Sequence, residues 1–393
     1  MAKLQEKTLT LLSNNKSTIS TANSPFSDTS NDYAPPADLA AALNEQEKHK
    51  YIRLKQIGSG TYANVYKGHL RADPSSLVAI KKMKVQTDYK EGLSMDSIRE
   101  IKFLQELSHP NIIALHSVFS SKDQNINLVI EFMPHGDLEM VIKDHDHVAY
   151  GLADVKAWMG MLGRATWFCH ENFVLHRDIK PSNVLIAADG QLKLSDFGLA
   201  RSFADPYQPM THLVITNWYR PPELFYKAKY YSGVVDVWSC GCVLAQLVLR
   251  SAYIHGETDM QVLDAIVQAL GQPTEENWPG VSKLENYVMM KPPTRPLTSK
   301  AEMMNLFGTL GPVGVDLLMA MLALDPRKRL TSKQVLEHEF FKIAPRPTKA
   351  ADLPKKGGGE KQAAEDLKRK ATLLGEGRGG KVAKKLDFGA ARR

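Results

Sequence analysis

Cysteine is scarce in this chain: Cys169, Cys240 and Cys242 are the only three among 393 residues. None sits at zinc-ligand spacing with partners, and no disulfide framework can be built from them. A reducing compartment, cytosol or nucleus, is therefore the expected setting. Uninterrupted apolar runs of the roughly 18 residues that span a bilayer are absent. The opening Met1-Ala2-Lys3-Leu4-Gln5-Glu6-Lys7 is too polar for a signal peptide. No membrane partner is expected. Evenly spread positive charge is lacking too. The formal net charge is +7, yet 14 of the 50 Lys/Arg and only 6 of the 43 Asp/Glu lie between Arg346 and Arg393. The remainder is close to neutral, which removes the compositional case for a nucleic-acid-binding domain.

Residues 1–50 are rich in Ser, Thr, Asn and Ala, with a Pro35-Pro36 pair, and read as a disordered N-terminal arm. Residues 346–393 turn to Lys, Gly and Ala and read as a disordered basic tail. The segment between, 51–341, has two textures. Residues 51 to about 132 read as strands, with short apolar runs at Leu77-Val78-Ala79-Ile80 and Asn127-Leu128-Val129-Ile130 and one helix over roughly Met95 to Leu107. From about 136 onward helical periodicity dominates: Leu152, Val155, Trp158, Met159 and Leu162 mark one amphipathic face. Val234 to Leu249 is apolar nearly all round, as in a helix buried inside a large domain. The expected fold class is α+β and bilobal, a small mainly-β N-lobe with one regulatory helix followed by a larger mainly-α C-lobe.

Phosphoryl transfer needs a cradle for the triphosphate, cations to neutralise it and a carboxylate to orient the hydroxyl nucleophile. Gly58-Ser59-Gly60-Thr61-Tyr62-Ala63-Asn64-Val65 is a candidate cradle, since glycines let backbone N–H groups approach phosphate oxygens. A strand later, Val78-Ala79-Ile80-Lys81 places an ammonium among apolar residues, and Glu100 on the intervening helix is its natural partner. The sharpest signal is His176-Arg177-Asp178-Ile179-Lys180-Pro181-Ser182-Asn183 followed by Asp196-Phe197-Gly198. Asp178 is the candidate to orient the substrate hydroxyl and Lys180 to neutralise the transferring group. Asn183 and Asp196 are hard oxygen donors suited to Mg²⁺. The tripeptide recurs at Asp387-Phe388-Gly389 without an upstream loop, strand or lysine, so no metal role attaches to it.

With these motifs, residues 51–341 resemble the protein kinase superfamily, and more closely the cyclin-dependent kinases. Asp96 to Glu100 looks like that family's cyclin-facing helix, and Leu270 to Gly280 resembles its C-lobe insert. Arg99–Leu107 (REIKFLQEL), Ser108 to Ile113, Asp137-Leu138-Glu139 with Lys143-Asp144, and Lys156-Ala157-Trp158-Met159 are similar to the cyclin-dependent kinase 7 branch and its fungal TFIIH-associated counterparts.

The resemblance implies that ATP binds with Mg²⁺ against Ile57, Gly58, Ser59, Gly60, Val65, Ala79, Lys81, Ile130, Glu131, Met133 and Leu185. Ile130 would be the gatekeeper, Glu131 and Met133 the hinge, and Leu185 the floor. Thr211 would be the activation-segment phosphosite, with Arg99, Arg177 and Arg201 as the cations that hold its phosphate. Val214, Ile215 and Arg220 would shape a pocket for proline after the phosphoacceptor. Glu223 with Arg329, and Asp236, would be structural. Thr61 and Tyr62 match an inhibitory phosphosite pair of cell-cycle members. The chain departs from its branch at Asp205-Pro206 in place of Ser-Pro, at Asn217 in place of Arg, and at Pro221-Pro222-Glu223 in place of Ala-Pro-Glu.

The implied function is a nuclear, proline-directed Ser/Thr kinase. Its partners would be a cyclin H-like subunit, an assembly factor and the TFIIH core. Its substrates would be the heptad repeats of the RNA polymerase II largest subunit and other cyclin-dependent kinases. A cell-cycle cyclin-dependent kinase and a scaffolding pseudokinase are the alternatives. Met210-Thr211-His212 lacks the Thr-x-Tyr lip of mitogen-activated kinases.

Overall fold

The computed structural model describes residues 39–60, 63–84, 95–121, 125–203, 210, 216–287 and 295–355. The first element is helix α1 (Leu39–His49). A five-stranded antiparallel sheet follows, built from β1 (Tyr51–Ser59), β2 (Ala63–Leu70), β3 (Asp73–Met83), β4 (Leu115–Ser120) and β5 (Ile126–Glu131) in the spatial order β1-β2-β3-β5-β4. Helix α2 (Met95–Glu106) interrupts it in sequence and buries Ser97, Glu100, Phe103 and Leu104, the inner face that the three- and four-residue spacing dictates. Val78, Ile80, Phe119 and Val129 form a separate small core within the sheet.

The large lobe begins with α3 (Leu138–Lys143), capped by the Asp137 carboxylate accepting from Met140 N, and α4 (Leu152–Glu171). Two short antiparallel pairs sit against it: the hairpin of β7 (Val184–Ile186) with β8 (Leu192–Leu194), and, flanking it in sequence, β6 (Val174–Leu175) with β9 (Arg201–Ser202). Then come α5 (Pro222–Phe225), α6 (Val234–Leu249), α7 (Asp259–Leu270), α8 (Lys300–Phe307), α9 (Gly311–Met321) and α10 (Ser332–Glu337). Helix α6 is the buried apolar helix expected, with Val235 to Leu247 inside the core. All three cysteines are buried and free. Lys300–Met321 is long and apolar enough to cross a membrane by length and composition. A 3-10 turn at Gly308–Leu310 breaks it, and Met303, Phe307, Leu310, Val315, Leu318 and Met321 lie in the core.

Order extends past both expected ends. The arm was expected through residue 50, yet Leu39–His49 is helical. Beyond Pro36 no Pro or Gly interrupts an Ala-, Leu- and Glu-rich run of good helix formers. Its second half is also tied down: Asn44 exchanges bonds with Ser120 O (2.9 Å) and Ser120 N (2.6 Å), and Ser117 Oγ donates to Glu47. The tail was expected from 346, yet residues 346–355 dock on the large lobe and bury Leu353.

Candidate functional site

Strand register brings the small-lobe candidates into one row. Gly58 pairs with Val65, Val65 with Lys81, and Lys81 with Leu128, across four strands. Ala79, two residues from Lys81 and so on the same face, is opposite Ile130. The Gly58–Gly60 turn is closed by Gly60 N donating to Ala63 O (2.9 Å) and Ser59 Oγ to Asn64 Oδ1 (2.9 Å). Ile57 is exposed on β1. Glu131 ends β5, its N–H bonded to Ala114 O, and Met133 O closes the turn with Gly136 N. Leu185 on β7 bridges to Asp137 from below.

Lys81 joins the lobes. Its Nζ donates to Glu100 Oε1 (2.7 Å) and Oε2 (2.9 Å) and to Asp196 Oδ1 (3.2 Å). Burial alone would lower the ammonium's pKa; the two carboxylates overcome that and hold it above the ordinary lysine value. Burial raises the Glu100 carboxyl against the pull of Lys81. Asp196, despite its own burial, is kept below the ordinary value chiefly by Lys81. Asp196 adopts a positive φ of 64°, and Phe197 beside it is fully buried with its ring 4.7 Å from that of His176.

Asp178 is the hub of the large-lobe side. Its Oδ2 accepts from Lys180 Nζ (2.8 Å) and Asn183 Nδ2 (2.7 Å), and its Oδ1 from Thr216 Oγ1 (2.9 Å). Lys180 Nζ also donates to Thr216 Oγ1 at 2.9 Å. Asn183 spends its amide N–H groups on Asp178 O and Oδ2, leaving its amide oxygen as an acceptor. That oxygen and the Asp196 carboxylate are a hard-oxygen donor set, which fits Mg²⁺.

The loop's backbone is fixed from beneath. Asp236, fully buried on α6, accepts from His176 N, Arg177 N and His170 Nε2, each at 2.9 Å. Burial would raise its pKa, but the His170 bond, the histidine charges and Arg177 N–H hold it below the ordinary value. His176 donates Nε2–H to Ser195 O and accepts from Asp178 N at its other ring nitrogen; burial lowers the pKa of this imidazole. The sign of the linkage follows. A depressed Asp236 contributes stability that is complete above about pH 4, the ordinary Asp value, and is lost as pH falls through the lower folded value. Asp236→Asn should therefore reduce stability at neutral pH and flatten the acid limb of a thermal-unfolding profile. An unchanged acid limb would refute this account of the loop.

Arg177 Nε donates to Leu199 O (2.8 Å) and Nη1 to Tyr231 OH (3.0 Å). Burial raises the Tyr231 phenol, and the charges of Arg177 and Arg201 oppose it. Arg99 instead makes a local pair with Asp96 at 2.9 Å. Arg220 is buried against Asp259 (3.3 Å) and over the Phe225 ring. Asn217 Nδ2 donates to the same Asp259 at 2.7 Å. Glu223 and Arg329 form a bidentate buried pair at 2.6 and 3.0 Å. Thr61, Tyr62, Asp205-Pro206, Thr211, Val214, Ile215 and Asp387 lie outside the described residues. Thr216, Tyr231 and His170 were not among the sequence candidates. No local spacing marks them, because each reaches its partner from a distant element.

The protein kinase domain profile matches residues 51–341. The chain belongs to the protein kinase family. Serine/threonine-protein kinase crk1 of Schizosaccharomyces pombe is 44% identical over 331 residues, covering 83% of this chain and 96% of that one. Serine/threonine-protein kinase KIN28 of Saccharomyces cerevisiae is 42% identical, covering 77% and 97% respectively. Cyclin-dependent kinase 7 of Carassius auratus is 41% identical, covering 85% and 94%. A chain of the solved CAK complex from Chaetomium thermophilum, bound to ATP-γ-S, matches with a TM-score of 0.78 and 58% identity, covering 80% of this chain and 98% of that one. The kinase is thus a Ser/Thr protein kinase of the cyclin-dependent kinase 7 branch.

Proposed function

We propose that this kinase is the cyclin-dependent subunit associated with TFIIH and transfers the γ-phosphoryl group of ATP to Ser-Pro and Thr-Pro sites. Heptad repeats of the RNA polymerase II largest subunit are its main substrate, and the activation segments of other cyclin-dependent kinases a second class. The observation that carries the chemistry is the Asp178 network, in which Lys180, Asn183 and Thr216 converge on one carboxylate. Asp178 orients the substrate hydroxyl and accepts its proton. Lys180 neutralises charge on the transferring group, and Lys81, aligned by Glu100, holds the α and β phosphates. Mg²⁺, held by Asn183 and Asp196, would supply further charge neutralisation on the phosphates. Ala79, Leu185 and Ile130 would hold the adenine, with Glu131 and Met133 as hinge.

The cyclin contact is read from α2, whose buried Glu100 is on one face while Met95 and Ile98 stand exposed on the other. A partner pressing there fixes the Lys81–Glu100 pair. A CAK complex with ATP-γ-S is also a solved neighbour at 58% identity. Phosphorylation of Thr211 would add about −2 of charge for Arg99, Arg177 and Arg201 to hold, with Val214, Ile215 and Arg220 selecting proline. The basic clusters Lys368-Arg369-Lys370 and Lys381 to Lys385 serve nuclear import. The test is radiolabelled ATP with the kinase and its co-purified cyclin. Heptad peptides should be labelled, peptides with Ala for each Pro should not, and Thr211→Ala should lower kcat while sparing nucleotide binding. Labelling of generic basic peptides in preference to heptads would overturn the substrate assignment.

A further inference from the structure

The family match ends at Phe341, yet the described chain runs on to Lys355, and those extra residues follow a defined course. Lys156, fully buried on α4, donates to Ile343 O (2.9 Å) and Pro345 O (3.1 Å) and starts the segment along the large lobe. Thr348 then bonds twice to the start of α4: its N–H to Ala153 O (3.1 Å) and its Oγ1 to Asp154 Oδ1 (2.7 Å). Ala350 O lies so close to Gly190 that a Cβ there would meet it at 1.8 Å. Leu353 is 1% exposed, buried in the main core. Lys355 ends beside Gly190 and near His135, whose pKa is lowered first by burial and then by the Lys355 charge.

Gly190 is the turn of the β7–β8 hairpin, and its φ of +82° already favours glycine. The same hairpin is held on its other side by the loop after the hinge: Ile186 N donates to Gly136 O (2.9 Å), and Leu185 bridges to Asp137. The hairpin is therefore clamped between residues 346–355 and residues 135–137. Leu185, the proposed floor of the adenine site, is carried on it.

We propose that residues 346–355 are a positioning strap for the nucleotide cleft. The strap sets the height of the β7–β8 hairpin, and through it the separation between Leu185 and the hinge at Met133. This rests on the cleft reading given above. Among the described residues the strap touches none on the phosphate side, so its loss alters how tightly nucleotide is held and leaves the transfer step alone.

The experiment compares full-length kinase in its cyclin complex with Thr348→Val and Leu353→Ala, and with Lys349→Ala as an exposed control. Each is assayed for KM for ATP, kcat, affinity for a fluorescent N-methylanthraniloyl ATP, and Tm. The strap variants should raise KM and the nucleotide Kd by about five- to tenfold, the scale of a ~1 kcal/mol contact, with kcat within about twofold. Thr348→Val removes one hydroxyl, so it keeps the test open should Leu353→Ala fold poorly. A lower Tm with unchanged nucleotide affinity would make the strap a mere brace and overturn the proposal. Equal losses of kcat and affinity would do so too, by spreading the effect across the whole site. If the unsubstituted complex fails to bind the nucleotide analogue, the cleft reading falls first and the strap with it.

Discussion

Replacing Asp178 by asparagine is expected to lower kcat by roughly 10²- to 10⁴-fold, the usual contribution of a positioned general base, while nucleotide affinity stays within about twofold. The carboxylate does two jobs that an amide cannot share. Both of its oxygens accept, one from Thr216 Oγ1 and the other from Lys180 Nζ and Asn183 Nδ2. An asparagine keeps one acceptor and turns the other position into an NH₂ donor. That donor would face either the Lys180 ammonium or the Thr216 hydroxyl, so the loop would lose a partner as well as a proton acceptor. Single-turnover kinetics at saturating ATP is the measurement. A fall in kcat of under tenfold would remove Asp178 from the reacting atoms.

The largest stability effect is expected at Arg329. Its guanidinium meets Glu223 at 2.6 and 3.0 Å, donates to Val234 O and Ala323 O, and lies 5.0 Å from the centre of the Trp238 ring. Neither partner of the ion pair has significant contact with water. Arg329→Met leaves Glu223 as an uncompensated buried charge, and breaking such a pair costs about 3–5 kcal/mol. At about 2–4 °C per kcal/mol for a domain of this order of size, Tm should fall by roughly 10 °C. Glu223→Gln together with Arg329→Met should recover much of the loss, because the orphaned charge disappears. A single-variant loss below about 1 kcal/mol by denaturant titration would contradict the buried-pair account. The consequence for activity is local. Glu223 follows Arg220, Pro221 and Pro222, so the pair anchors the end of the segment that carries Thr216.

Much of the chemistry was legible because kinase motifs are nearly contiguous. Asp178, Lys180 and Asn183 fall within six residues, and Asp196 follows a short hairpin later. The Gly58–Lys81 register was legible too, since alternating strands and a glycine turn leave few choices of face. What escaped has a common cause. Thr216 and Tyr231 are ordinary polar residues whose meaning depends on where α6 and its preceding loop are packed, 38 and 54 residues from the side chains they bind. Of the three arginines expected to hold a Thr211 phosphate, Arg99 pairs with Asp96 one turn away, and Thr211 itself lies outside the described residues. Residues 39–49 and 346–355 were read as arms because composition averages over a window. A single buried Leu353, or Asn44 placed on a strand edge, changes no average.

Asp236 ties the backbone of His176 and Arg177 to a helix in the middle of the large lobe. Asp178, Lys180 and Asn183 follow directly on that anchored backbone and Thr216 bonds to Asp178, while Lys81 and Glu100 belong to the other lobe. Lys81 reaches across to Asp196 at 3.2 Å, and the lobes also meet where Leu194 N donates to Asn111 O (2.8 Å) and Lys193 pairs with Glu131 (2.7 Å). A tilt of the small lobe would stretch the Lys81–Asp196 bond, whereas the bonds of Asp178 to Lys180, Asn183 and Thr216 lie within the large lobe. A displacement of α2, which carries Glu100, would thus reach the phosphate-side lysine first and the Asp178 cluster only through it.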